Sequence, residues 1–108
     1  MSEEQNVIKV YETRRFEKAL KKLSDAQLKI VEDEVDRIIE APEIGVVKKG
    51  NLSHLRVHKF KIHNQQVLLG YSWVEDKVEL YLLHLGPHEN FYQKMKGQRK
   101  VDIKLIKP

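Results

Sequence analysis

Imidazole is the side chain best suited to moving protons near neutral pH, and all five histidines of this 108-residue chain lie between His54 and His88. Two groups of residues have the types and spacing for chemistry. In the first, His54, Arg56 and His58 alternate with Leu55 and Val57. In a strand, this period-two spacing puts the three polar side chains on one face and Lys59 and Lys61 on the other. A guanidinium flanked by imidazoles suits proton transfer beside an anion. A sheet covered by helices on one side only leaves its other face to solvent, which is where such residues are expected. In the second group, Gly86-Pro87 stops a strand and presents His88 at the sheet edge, with Tyr92 four residues later. Catalytic groups are often mounted on loops held by a rigid scaffold, and a histidine beside an aromatic ring suits proton transfer to a stacked nucleotide. Phe91, between them, reads as a packing residue.

Other chemistries lack their residues. With no cysteine in the chain, disulfides, thiolate nucleophiles and Cys-ligated metals are excluded. No His-x₃-His or Glu-x-x-His pair falls on an expected helix, and His54 and His58 would lie about 13 Å apart along a strand, so no metal is expected. Glycine-rich phosphate loops and dinucleotide fingerprints are absent, and no cofactor is expected.

The elements that must position these residues are legible in the spacing. A strand is expected over residues 6–11, where β-branched residues alternate. Thr13 offers an N-cap, and Phe16, Ala19, Leu20 and Leu23 recur at helical spacing opposite Arg14, Lys18, Lys21 and Lys22, which predicts a basic amphipathic helix. Ser24-Asp25-Ala26-Gln27 matches a capping box and opens a second helix. Its apolar stripe is Leu28, Val31, Val35 and Ile38, and it ends before Pro42, because the residue preceding proline is pushed out of helical geometry. Beyond a loop marked by Pro42, Gly45 and Gly50, three strand-like segments cover about residues 52–62, 65–74 and 77–85. Connections this short join antiparallel neighbours. The expected fold is α+β, in the order β-α-α-β-β-β, with an antiparallel sheet packed on a helical hairpin and a short terminal helix over residues 89–96. Residues 97–108 read as a basic C-terminal tail, either frayed or an added edge strand.

A chain of this size encloses one modest core, so residues 1–108 are expected to form a single domain. An apolar fraction of 41% with 33% charged residues marks a folded chain and not a disordered one. No apolar run is long enough to span a membrane, and the opening residues lack the basic-then-apolar order of a signal peptide, so a cytoplasmic protein without a membrane partner is expected. The net charge of +4 hides an asymmetry: residues 1–43 hold 8 Lys/Arg against 11 Asp/Glu, and residues 44–108 hold 12 against 5. A basic, histidine-rich second part fits a polyanionic partner, either nucleic acid or the ribosome.

Taken in order, the first strand, the hairpin with its basic first helix, GNLSHLRVHKFK from Gly50, QQVLLGY from Gln65 and LGPHENFY from Leu85 resemble the RelE/ParE toxins of type II toxin–antitoxin systems. The likeness runs over residues 5–96. It implies a toxin whose concave sheet face cuts mRNA in the ribosomal decoding site, and a cognate antitoxin that neutralises it by wrapping around it. His88 and Tyr92 look like the functional pair of the histidine-based members, and Arg56 matches the arginine that begins the catalytic face in many of them. On this reading the ribose 2′-hydroxyl attacks the adjacent phosphate. His58 acts as general base and His88 as general acid, or the reverse, while Arg56 steadies the phosphorane and Tyr92 stacks on a base. Arg14, Arg15, Lys18, Lys21 and Lys22, with His54, Lys59 and Lys61, contact mRNA or ribosomal RNA. The sequence departs from the pattern at Gln66, where many nuclease members have arginine, which leaves phosphate stabilisation to Arg56, Lys59, Lys61 or a tail residue. ParE-type members lack the nuclease residues and poison DNA gyrase, so a non-enzymatic gyrase inhibitor is the alternative, and an inert or antitoxin-titrating relative is a third.

Overall fold

One hydroxyl fixes where the first helix begins. Thr13 is extended, and its Oγ1 accepts a hydrogen bond from the Phe16 amide at 3.1 Å. The same hydroxyl donates to the Leu83 carbonyl at 2.7 Å, so the cap also ties the helix to a strand 70 residues away. In the computed structural model, which describes residues 7–107, helix α1 (Arg14–Lys21) buries Phe16. Helix α2 (Asp25–Glu40) opens on the expected capping box of Ser24 and Gln27, buries Val31 and Ile38, and stops at Ala41, ahead of Pro42 as the sequence requires.

The strands are β1 (Lys9–Glu12), β2 (Val46–Val47), β3 (Arg56–Ile62), β4 (Gln65–Val74) and β5 (Glu79–Gly86). The expected start of β1 at Asn6 lies outside the described residues. His63 and Asn64 join β3 to β4 with positive φ angles of 50° and 72°, the geometry of a two-residue hairpin turn that follows the twist of its strands. The sheet order is β1-β5-β4-β3-β2. β3, β4 and β5 form the expected antiparallel meander, but β1 pairs in parallel with β5, Lys9 opposite Glu79 and Glu12 opposite Leu82. The sheet is therefore mixed, not antiparallel. Alternation reveals that a segment is a strand, whereas pairing direction depends on where the intervening helices return the chain.

Two cores flank this sheet. On one face Phe60, Ile62, Leu69, Tyr71 and Leu82 meet Phe16, Val31 and Ile38 of the helical hairpin. On the other, Val57, Leu68, Tyr81 and Leu83 meet Phe91, Met95 and Ile106, carried by α3 (Phe91–Gly97) and α4 (Arg99–Ile106). Residues 99–106 are thus a helix and neither a frayed tail nor an edge strand. Val101, Ile103 and Leu105 alternate as in a strand, yet the buried residues are Asp102 and Ile106, one helical turn apart. Eight residues are too few for alternation to exclude the helical period.

Asp102 is 1% exposed and is ion-paired with Arg15 of α1, whose guanidinium also lies 3.7 Å from the Met95 sulfur. This pair joins the helices of the two layers. Arg15→Leu strands a buried carboxylate without its cation and is expected to lower stability by about 3 kcal/mol. Urea denaturation measures the loss, and adding Asp102→Leu should restore most of it, since two apolar groups of suitable shape can replace such a pair.

Candidate functional site

Strand alternation sends Arg56 and His58 to the same face as Phe60 and Ile62, the face that packs on the helical hairpin. There His58 Nε2 meets Glu34 Oε1 of α2 at 2.7 Å, and its ring stacks on Phe60 with centroids 5.7 Å apart. Arg56 donates to the carbonyls of Glu43 and Gly45 at 3.2 and 3.0 Å, so its guanidinium closes the loop after α2. His54 precedes β3 and lies at the other end of the sheet from the β3–β4 turn. Its carbonyl accepts from the Ser72 hydroxyl, and both ring nitrogens are enclosed with no partner. Burial first, then Arg99, holds its pKa below the usual imidazole value.

The opposite face carries Val57, Lys59 and Lys61, with both lysines exposed, and Gln66 sits opposite Lys61 in the β3–β4 register. His88 is exposed on the loop after β5 and lies edge-on to Tyr92 at 5.7 Å. Tyr92 packs against the core cluster of this second face, and Lys48 Nζ stands 5.1 Å from the centre of its ring, a cation–π distance. Asn90, with φ of 63°, takes the left-handed turn that asparagine tolerates better than most residues, and α3 starts directly after it.

Of the four residues expected to form the reacting centre, His88 and Tyr92 come together. His58 and Arg56 do not join them, because the sheet lies between. The expectation that the His58 face is open to solvent gives way for the same reason: α2 covers it, and a partly covered imidazole takes the carboxylate it is offered. Arg15 also leaves the RNA-binding set, being committed to Asp102. Arg14, Lys18, Lys21 and Lys22 remain exposed on α1.

Two residues of the site region were not singled out by spacing. Lys48 sits in a loop with no periodicity to flag it. His84 lies between two leucines as an ordinary strand residue. A register shift pairs Gly70 with His84 and Tyr71 with Leu82, leaving Leu83 unpaired, and turns His84 toward Phe91 at 5.3 Å. Gly70 makes room for this packing, since a Cβ there would lie 2.9 Å from the Phe91 ring. Burial, then Arg15 and Lys94, pushes the His84 pKa down to about 4. Among the described residues no three His, Asp or Glu side chains converge as metal ligands, and no helix is long and apolar enough to cross a membrane.

Residues 10–96 match the family model of the ParE-like toxin of type II bacterial toxin-antitoxin system. The chain belongs to that family. The fold of this ParE-like toxin is that of free Escherichia coli RelE in a doubly substituted form, with a TM-score of 0.66 at 17% identity over 87% of this chain and 97% of that one. It is also similar to a chain of the intact E. coli RelBE toxin-antitoxin complex, with a TM-score of 0.62 at 19% identity over 77% and 99%. A chain of the archaeal RelE-RelB complex from Pyrococcus horikoshii OT3 gives 0.55 at 19% over 76% and 96%. No curated protein matches the toxin.

The low pKa of His84 gives the toxin a pH-dependent stability. The folded imidazole takes up its proton only near pH 4, whereas an unfolded one does so near 6.5. Between these values the unfolded chain binds more protons, so stability falls as the pH drops from about 7 to about 4. His54, shifted in the same direction, adds to the effect. A pH series of thermal melts is expected to show Tm falling through this window, with a shallower slope for His84→Leu.

Proposed function

We propose that this toxin is an endoribonuclease that acts without a metal, cutting mRNA on the cytoplasmic ribosome, with His88 and Tyr92 at its centre. The supporting observation is the exposed His88 imidazole set against a tyrosine ring, on the face where Lys59 and Lys61 project. Tyr92 stacks on a base and holds the RNA so that the scissile phosphate meets His88. The 2′-hydroxyl oxygen attacks phosphorus as its proton passes to solvent. The bond to the 5′-oxygen breaks, and His88 protonates that leaving oxygen, giving a 2′,3′-cyclic phosphate and a free 5′-hydroxyl. Lys59 and Lys61 offset the charge that builds on the phosphorane, taking over the role expected of Arg56. Lys18 and Lys21 of α1, with Lys22 just after it, contact phosphates of mRNA or ribosomal RNA. The partner that silences the toxin is a cognate antitoxin with an acidic or amphipathic segment, matching the basic second part of the chain by charge.

A second reading, a non-enzymatic inhibitor of DNA gyrase, has one observation in its favour: His58 lies on the far face and is bonded to Glu34, so the imidazole expected to pair with His88 as acid and base is not beside it. Purified toxin added to a translating extract and to naked RNA separates the two. Cutting only in the extract supports the proposal, whereas intact RNA together with blocked supercoiling by gyrase supports the second reading.

In the extract, His88→Ala is expected to lower single-turnover cutting by about 10²–10⁴-fold while leaving ribosome affinity nearly constant. Tyr92→Ala should cost about 1–3 kcal/mol of transition-state stabilisation. Lys18→Glu with Lys21→Glu should weaken ribosome binding and flatten its salt dependence. His58→Ala separates this arrangement from the one first expected. It should reduce thermal stability through the lost Glu34 contact but spare the cutting rate of the folded protein.

A further inference from the structure

Beside the His88 loop lies a cavity of about 800 Å³, within the range of about 300–1,000 Å³ that holds small ligands. Lys18 of α1 and Lys22 just after it form one wall and Lys94 of α3 contributes to another, while Gln66 and His84 come from the sheet and Glu89 from the loop. Lys18, Lys22 and Lys94 form no ion pair with any described residue. His84 presents only one nitrogen to this space: Nδ1 is enclosed without a partner, and Nε2 lies toward Gly86. A Cβ at Gly86 would stand 3.7 Å from Nε2, so a side chain there would cover the nitrogen that glycine leaves open.

The cavity therefore divides into two chemistries. Three ammonium groups with no ion pair among the described residues suit a phosphate. His84 is uncharged at neutral pH, because burial and the neighbouring Arg15 and Lys94 disfavour its protonated form. A neutral imidazole has one donor and one acceptor nitrogen, which suits the edge of a base and not a phosphate. Glu89 repels phosphate but accepts from an exocyclic amino group.

We infer that this cavity receives one nucleotide flanking the scissile phosphate, its phosphate among Lys18, Lys22 and Lys94 and its base edge against His84 Nε2, and that it sets the nucleotide preference of cutting. The inference rests on the endonuclease reading of the His88 site. Glu89 adds a direction to the preference, toward bases that offer an amino group over uracil.

Two measurements separate the cavity from the reaction. In a translating extract, mapped mRNA ends are expected to show His84→Leu losing about tenfold in cutting at preferred positions relative to disfavoured ones. An unchanged preference, or an equal loss everywhere, overturns the inference and leaves the endonuclease reading standing. With purified toxin, oligoribonucleotides of three residues are expected to shift the His84 imidazole resonances, and to bind at least about fivefold more weakly to Lys18→Glu with Lys22→Glu. No shift of His84 at millimolar oligonucleotide overturns the inference even in a protein that cuts mRNA. A clear shift in a protein that cuts no mRNA removes the endonuclease reading, and with it the assignment of the cavity to the nucleotide flanking the scissile phosphate. If His84→Leu fails its thermal melt, His84→Ala replaces it in the extract.

Discussion

Asp102 is 1% exposed, and a carboxylate so enclosed is tolerable only with a cation at contact. Arg15 supplies that cation from α1, and much of the second face follows from this one pairing. With Asp102 held, α4 lies against the sheet and Ile106 enters the cluster that also contains Leu52, Leu55, Phe91 and Met95. Phe91 then fills the space above Gly70, and Tyr92 is set next to His88. The pairing is incomplete, since the second carboxylate oxygen has no partner. Burial therefore still raises the Asp102 pKa against the opposing pull of Arg15.

The sheet acts as a partition as well as a scaffold. Its hairpin side spends its polar groups on architecture: His58 on Glu34, Arg56 on two carbonyls, and the Tyr71 hydroxyl between the Pro42 carbonyl and the Gly45 amide at 2.6 and 2.8 Å. Its other side leaves Lys59, Lys61 and His88 exposed. A cation or imidazole already bonded to protein has less to offer an incoming phosphate. The division of labour between the two faces thus decides which basic residues stay unbonded.

Local signals in the sequence marked local features well. Thr13, the Ser24–Gln27 capping box and Pro42 each start or stop a helix within four residues of themselves, and the hairpin they delimit is the one observed. Alternation in residues 56–62 correctly divided Arg56 and His58 from Lys59 and Lys61. It carried no information about which of the two faces the helices would cover. That depends on the hand with which the chain leaves β1 and returns, a property of the whole path. The register shift at Gly70 and Tyr71 and the docking of α4 through Asp102 are long-range packing events, and neither has a signature in neighbouring residues. His84 and Lys48 were missed for that reason.

The parallel pairing of β1 with β5 also orders events during synthesis. β1 leaves the ribosome first but has no strand to pair with until residues 79–82 follow, and the Thr13 hydroxyl waits equally long for the Leu83 carbonyl. Closing a loop of this length carries an entropic cost that only later contacts offset. The β3–β4 hairpin and α1–α2 can form as they emerge, because their contacts are local. The surface bearing His88 and Tyr92 has to wait for α4, whose buried residues Asp102 and Ile106 follow them in the chain. A nascent chain of this toxin therefore carries His88 and Tyr92 on an unfinished surface until α4 has followed them out.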